Sequence, residues 1–375
     1  MSEAQLSELL KKYDDQTATV SALAAEYAPH ISVATFSRHL PHIIHEDAFC
    51  PYCPGVHLQS PRSRQSSKTY CPECNHLDQS WYCNCYNCAA ARDKEERRKY
   101  NIKRDVLREN YPKRVWLGSI DDLTIFDAVY LTALINQSLS EDMNTVDPFL
   151  IDKCALGPTA EYTNKIVQHL YAKSLIDIDI SNSVGAFEFD KNQSSYALVD
   201  VSQSRWLFLP GLSPEEKYSF VENLSNKING NWPDSWVSES ALIWRDIVKW
   251  EAIEYMHHLL KERRYNPPKV GNRTNSVFDY IVDKFPISKA YYLINLSVRH
   301  VSDRALINNI PSYVARNTFL GEIQSKADKA IAENWDIKGY LRHRYCPQSW
   351  VSSTYFNAFV KIGDKAFTTL PPSKG

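Results

Sequence analysis

Seven of the nine cysteines of this chain fall between Cys50 and Cys88, in the order Cys50-Pro-Tyr-Cys53, Cys71-Pro-Glu-Cys74 and Cys83-Asn-Cys85-Tyr-Asn-Cys88. Hydrocarbon packing gives no reason for thiols at that spacing. Two Cys-x-x-Cys turns about twenty residues apart are what a tetrahedral thiolate site requires, because each tight turn supplies two sulfurs and a short hairpin brings the turns together. The remaining cysteines, Cys154 and Cys346, stand far apart and read as plain core or surface thiols.

The alternative use of paired cysteines is disulfide bonding. The chain begins Met-Ser-Glu-Ala-Gln, without a charged leader followed by an apolar core, so no secretory signal is expected. No apolar run approaches the roughly 18 residues of a membrane span, so no membrane association is expected either. A cytoplasmic setting keeps thiols reduced and favours metal. The expected cofactor is therefore one or two structural Zn2+ ions. Cys50, Cys53, Cys71 and Cys74 form a first ligand set. Cys83, Cys85 and Cys88 lack a fourth thiol, which His76 or His57 can replace; knuckles shared between two metals fit the spacing equally well. A four-ligand shell leaves no open position for substrate, so the metal is expected to hold structure rather than to perform chemistry. A module this small buries little core, and metal supplies the missing folding energy.

The chain of 375 residues is long enough for two to four domains, and 43% hydrophobic content supports globular cores. Its net charge of −1 conceals segregation: residues 51–115 carry +6, residues 116–256 carry −12 and residues 257–375 carry +9. Such asymmetry points to a polyanion contacting selected surfaces, or to oppositely charged domains pairing with each other.

Before the cysteines, Leu6, Leu9, Leu10 and Tyr13 recur at helical spacing. Thr19 is placed to cap a helix Val20–Tyr27, and Ser32 to cap a third, Val33–Leu40, ending before Pro41. The run Val20-Ser-Ala-Leu-Ala-Ala-Glu-Tyr27 followed by Ile31-Ser-Val-Ala-Thr-Phe-Ser-Arg-His-Leu40 resembles the helix-turn-helix of bacterial regulators and transposases, here adjoining a zinc-ribbon-like module. The resemblance implies that Ala24 lets two helices cross closely and that Ile31, Phe36 and Leu40 are buried. It also implies that Ser32, Thr35, Arg38 and His39 face the major groove.

Downstream, Ala89 to Arg108 reads as a long charged helix, with Asp93 four residues before Arg97 and Glu95 four before Lys99. Arg97, Arg104 and Arg108 share a face suited to a phosphate backbone. The loop Ser60-Pro-Arg-Ser-Arg-Gln-Ser-Ser-Lys68 is basic and hydroxyl-rich, and Arg62, Arg64 and Lys68 are candidate phosphate donors. Next come apolar helices over Leu123–Leu139 and Glu161–Leu175, a short helix over Asp147–Cys154, and strands at Ile176–Ile180, Phe187–Phe189 and Tyr196–Val199, with turns near Ser183 and Asn192. Helices followed by a hairpin follow winged-helix order. The acidity of this part suits a protein partner better than DNA. From Ser213-Pro-Glu-Glu onward the pattern is helical, and it closes with the basic and aromatic run Lys338-Gly-Tyr-Leu-Arg-His-Arg-Tyr345.

The expected architecture is mainly α and multidomain. It comprises a helix-turn-helix domain (1–48), a zinc module (49–90), a basic connecting helix (91–118), a winged-helix-like acidic domain (119–212) and a helical C-terminal domain (213–375). No phosphate-cradling Gly-x-x-x-x-Gly-Lys or Gly-x-Ser-x-Gly elbow occurs. Asp200 with Glu215-Glu-Lys217 superficially offers a magnesium-nuclease pattern, but Glu215 directly follows the helix start Ser213-Pro214, where carboxylates favour the helix dipole. The leading expectation is a zinc-stabilised, non-catalytic DNA-binding protein, in a bacterial regulator or an accessory subunit of a mobile element or anti-phage system. A metal-dependent nuclease with a C-terminal site and a protein-interaction scaffold are the alternatives, and RNA is the alternative nucleic acid.

Overall fold

The computed structural model describes residues 1–64, 68–78, 82–147, 155–190, 196–198 and 204–372. The chain divides into two compact units, Met1–Ile102 and Lys103–Gly375. It is mainly helical, with small antiparallel sheets.

The first unit opens with α1 (Glu3–Asp14). A capping box starts it: Ser2 Oγ accepts the Gln5 amide, and Gln5 Oε1 accepts the Ser2 amide. Helix α2 (Val20–Tyr27) begins at Thr19, whose hydroxyl accepts the Ala22 amide at 3.2 Å. Leu9, Tyr13, Leu23, Ala24, Phe36 and Leu40 form the buried cluster between them. The third helix expected over Val33–Leu40 is corrected here: that stretch holds only a 3-10 turn, Phe36–His39. The Ser32 hydroxyl meets the Thr35 hydroxyl at 2.9 Å instead of capping a helix, and the Thr35 amide closes a turn onto Ser32 O. With Pro29 and Pro41 bounding the segment and β-branched Val33 and Thr35 inside it, an α-helical nucleus has too few residues to propagate.

Strand β1 (Ile43–Phe49) pairs antiparallel with β2 (His57–Ser60). Tyr70 bridges from Gln59 to Leu77, which extends the ribbon by one more chain crossing. Helix α3 (Tyr86–Asn110) then runs out of the first unit into the second.

The second unit is built on α4 (Ile125–Ser138), β3 (Thr145–Val146), α5 (Ala160–Ala172), β4 (Ile176–Ile178), β5 (Phe187–Phe189), β6 (Tyr196–Leu198) and β7 (Trp206–Phe208). β7 lies between β3 and β4 in one antiparallel sheet, and β5 pairs with β6 in a separate hairpin. Most of the short helix expected over Asp147–Cys154, together with Asn192, Val199 and Asp200, lies outside the described residues. Helix α6 (Pro214–Asn229) starts with the Ser213/Glu216 capping box and Pro214 in its first turn. The 29-residue α7 (Asp234–Glu262) is the central helix, and α8 (Asn272–Lys284) and α9 (Ile287–Ile307) pack on it. Two helices follow, α10 (Ser312–Arg316) and α11 (Phe319–Ala332), separated at Asn317-Thr318. One hydrophobic core runs through the unit, from Leu107 and Ile125 through Trp236 and Ile253 to Phe356 and Phe367. Glu251 lies inside it, held by a two-pronged pairing with Arg342 at 2.9 and 3.2 Å and by the Ser352 hydroxyl at 2.7 Å. No helix among the described residues is long and apolar enough to cross a membrane.

Candidate metal centres

The ribbon and the start of α3 gather all seven clustered cysteines and one histidine into two groups, Cys50/Cys53/Cys71/Cys74 and His76/Cys83/Cys85/Cys88. Within each group the four candidate ligand atoms lie within 4.8 Å of one another. The grouping follows chain order, so the interleaved arrangement does not occur. His57 lies outside both groups; its ring packs at a tilt on Phe49, with centroids 4.4 Å apart.

A regular tetrahedron with metal–sulfur bonds of about 2.3 Å places neighbouring sulfurs about 3.8 Å apart. Cys50 and Cys74 Sγ are 3.7 Å apart. Replacing one sulfur by nitrogen at about 2.0–2.1 Å shortens the edge to about 3.5 Å. His76 Nδ1 is 3.2, 3.7 and 3.9 Å from the sulfurs of Cys88, Cys83 and Cys85. Both groups could therefore hold a metal ion, and sulfur-rich tetrahedral sets suit zinc.

Backbone geometry prepares the sulfurs. The Tyr52 amide donates to Cys50 Sγ at 3.4 Å, and the Leu77 amide donates to Cys83 Sγ at 3.2 Å. The first turn closes through Val56 N to Cys53 O, with Gly55 at φ 74°, and the second through Asn75 N to Cys71 O, with Asn75 at φ 55°. Glycine and asparagine are the residues that tolerate this left-handed conformation. Cys85 takes the cap position of α3: its carbonyl accepts the Ala89 amide and its sulfur accepts the Cys88 amide at 3.4 Å. A thiolate there gains from the helix dipole. Burial raises the pKa of the Cys83 thiol, but amide donors from Leu77 and Cys85 and the neighbouring Cys85 and His76 outweigh it and bring the value down to about 6. Burial pushes Cys74 up to about 11. Metal binding displaces the proton that such a thiol retains.

The two groups are mechanically linked. The Cys71 amide donates to His76 O at 2.8 Å, so one turn carries ligands of both. Tyr52, inside the first knuckle, packs its ring edge-on to His76 at 5.1 Å and meets Cys88 Sγ through its hydroxyl at 3.6 Å.

The residues read from sequence as nucleic-acid contacts are less uniform. Ser32, Arg38 and His39 are exposed and Thr35 is half-buried; Arg38 and His39 lie on the 3-10 turn and Ser32 and Thr35 in the chain before it, rather than on an α-helix. Arg62 pairs with Asp14 and donates to Pro41 O at 3.1 Å. Arg64 donates to Tyr13 O and Ala18 O and lies over the Tyr13 ring at 4.9 Å. These two arginines brace α1 and α2 against the ribbon instead of marking a free loop tip. Residues 65–67 of that loop lie outside the described residues, and Lys68 sits over the Tyr82 ring at 4.5 Å. On α3, Arg97 lies beside Arg98 and Asn101 on an exposed face, Arg104 pairs with Asp105, and Arg108 donates to Ser181 at 2.9 Å in the second unit. Only Leu107 is buried along the 25 residues of this helix. Glu95 is paired with Arg98 at 2.8 Å and more distantly with Lys99. Lys217 of the nuclease-like pattern is buried and donates to Asn144 at 2.9 Å, and Glu216 is occupied in the capping box. Cys346 is buried, and Cys154 lies outside the described residues.

No family model matches the chain. No solved structure matches it. The chain is 35% identical over 81 residues to the uncharacterized protein RC0786 of Rickettsia conorii (strain ATCC VR-613 / Malish 7), a match that covers 21% of this chain and 90% of that protein.

Proposed function

Since the chain belongs to one family with this Rickettsia conorii protein, whose name carries no activity, we propose the function from the chain's own residues: a zinc-stabilised, non-catalytic DNA-binding protein in which α3 is the phosphate contact. The observation that carries this reading is the position of the second ligand group at the start of a long, exposed, basic helix, with Cys85 at its cap and Cys88 in its first turn. A metal centre at that position fixes the base of α3. Residues 92–104 then present Arg92, Lys94, Arg97, Arg98, Lys99, Lys103 and Arg104 along it, spaced to follow a backbone of regular negative charge. Arg38 and His39, exposed on their turn, supply a second contact. Both ligand groups are complete with four protein donors, which supports a structural rather than a chemical role for zinc. In the second unit, the strand order β3–β7–β4 and the β5–β6 hairpin suit a winged-helix-like element. The −12 charge of residues 116–256 suits a protein partner there. A bacterial regulator, or an accessory subunit of a mobile-element or defence system, accommodates these features.

Fluorescence anisotropy of a labelled duplex titrated with the full chain tests this reading. The logarithm of the affinity should fall linearly with the logarithm of salt, by about 0.9 per phosphate neutralised. Arg97→Ala should weaken all sequences alike and reduce that slope by about 1. Affinity that is independent of salt, or unchanged in Arg97→Ala and Arg98→Ala together, contradicts it.

A further inference from the structure

A cleft of about 670 Å³ opens in the second unit, beside the end of the β3–β7–β4 sheet. One wall is the segment that follows α3, held across it by the Trp116 amide donating to Pro210 O at 2.8 Å. The opposite side is formed by β4, by Leu207 of β7 and by Lys217 of α6. Gly211, at φ 95°, is required where the walls approach: a Cβ there would lie 2.5 Å from Val115 Cγ1.

Four cationic side chains line the cleft, Arg108, Lys113, Arg114 and Lys217, and among the described residues none of them forms an ion pair. Arg108 donates to a serine hydroxyl, Lys217 to the Asn144 amide oxygen and Arg114 to Tyr171 O. Arg114 Nε is buried without a partner. The two carboxylates of the lining are already served by nearby donors. Asp177 accepts the amides of Arg114 and Ile178, and Asp179 accepts the Ser181 amide and the Asn182 side chain. Burial lowers the Lys217 pKa, and the nearby Asp142 carboxylate offsets this only in part. Val115, Leu207 and Pro210 make the rest of the surface apolar.

Lys217 is buried, Arg114 is half-buried, and Arg108 and Lys113 are exposed at the rim. Like charges gathered in one cleft repel one another until an anion arrives, and their number matters. A single carboxylate leaves most of this charge uncompensated. A phosphate monoester brings a charge of about −1.5 to −2 and three acceptor oxygens. The volume lies within the roughly 300–1,000 Å³ of small-molecule sites. We propose that this cleft binds a phosphorylated small molecule of nucleotide size, with its phosphate on Lys113, Lys217 and Arg108 and its organic part against Val115, Leu207 and Pro210. The site is separate from the α3 face that carries the DNA reading, and its ligand makes the second unit a sensor of small-molecule state.

Isothermal titration of the metal-loaded full chain tests it, with AMP, adenosine and inorganic phosphate as probes. AMP should bind saturably and raise the melting temperature of the second unit. Adenosine and phosphate should each bind about tenfold more weakly or worse, since each lacks half of the contact. Lys113→Ala, at an exposed position, and Lys217→Met, which keeps the buried volume, should each weaken AMP about tenfold with the far-UV circular dichroism unchanged. Arg97→Ala should leave AMP binding intact, so this proposal and the DNA reading fail separately. Absence of saturable AMP binding, undiminished binding in both lysine variants, or adenosine or phosphate binding as tightly as AMP overturns the proposal.

Discussion

The two units of this molecule solve the same problem with different chemistry. Lys103–Gly375 buries a continuous hydrocarbon core in which Trp206, Trp236, Tyr162, Tyr291 and Phe278 are almost wholly enclosed. Met1–Ile102 has two small clusters, one of six buried residues beneath α1 and α2 and one centred on Cys50, Leu58 and Cys71. In the second cluster two of the three buried residues are candidate metal ligands. What the first unit lacks in apolar area, metal–sulfur bonds are placed to supply. The comparison teaches that buried cysteine has two meanings in one chain. Cys71 is buried because three other sulfurs converge on it, and Cys346 because hydrocarbon surrounds it.

Removing metal should separate the units most strongly. Structural zinc contributes about 10–16 kcal/mol of apparent binding free energy per site, more than a small domain's whole stability. Chelation of the full chain should therefore remove hydrogen-exchange protection from β1, β2 and the start of α3, while α7 and α9 stay protected. Protection retained by the ribbon after complete metal removal breaks the comparison.

The converse perturbation is Glu251→Ala. It strands Arg342 without its carboxylate and should cost about 3–5 kcal/mol, because a buried charge is left unpaired. The melting transition of the second unit should fall while metal content and ribbon protection stay unchanged. A loss of bound metal in this variant would mean that the units are not energetically distinct.

A third perturbation is of pH. Burial, and then the neighbouring Glu251 carboxylate, push Glu254 up to about 9 from the usual value of 4.5. The folded state keeps this proton where the unfolded state has lost it. Its contribution is fully present below about 4.5 and is lost progressively as pH rises towards 9. Glu254→Gln should flatten the decline in stability of the second unit between those limits, as followed by urea denaturation across pH. A variant as steep as the parent places the titration elsewhere.

What could be read in the sequence was local. Thr19 and Ser213 announced their helices because capping hydroxyls act within three residues. Cys-x-x-Cys spacing announced ligands because a single turn holds both sulfurs. The division into Cys50/Cys53/Cys71/Cys74 and a second set around Cys83, Cys85 and Cys88 was readable, but the choice of this division over shared knuckles, and of His76 over His57, was not, since it depends on Tyr70 bridging to both Gln59 and Leu77 and on α3 starting at Tyr86. The third helix failed for a related reason. Ser32 suits a cap, but whether its hydroxyl takes an amide or the Thr35 hydroxyl is decided by neighbours, and Pro41 leaves little length for the helix to win. Arg62 and Arg64 looked like donors in a loop because the sequence does not reveal that Asp14 and the Tyr13 and Ala18 carbonyls lie beside them. The cleft was invisible, because its cations come from α3, the segment after it and α6, more than a hundred residues apart at the extremes.

X-ray absorption at the zinc edge, with metal quantified per chain, bears most directly on the central claim that two closed metal centres hold the first unit. Two zinc ions per chain are predicted, with scattering fitted by about seven sulfurs at about 2.3 Å and one imidazole nitrogen at about 2.0–2.1 Å per ion pair. A single ion, disulfide sulfur in place of zinc, or a shell with open oxygen-bound positions would contradict it.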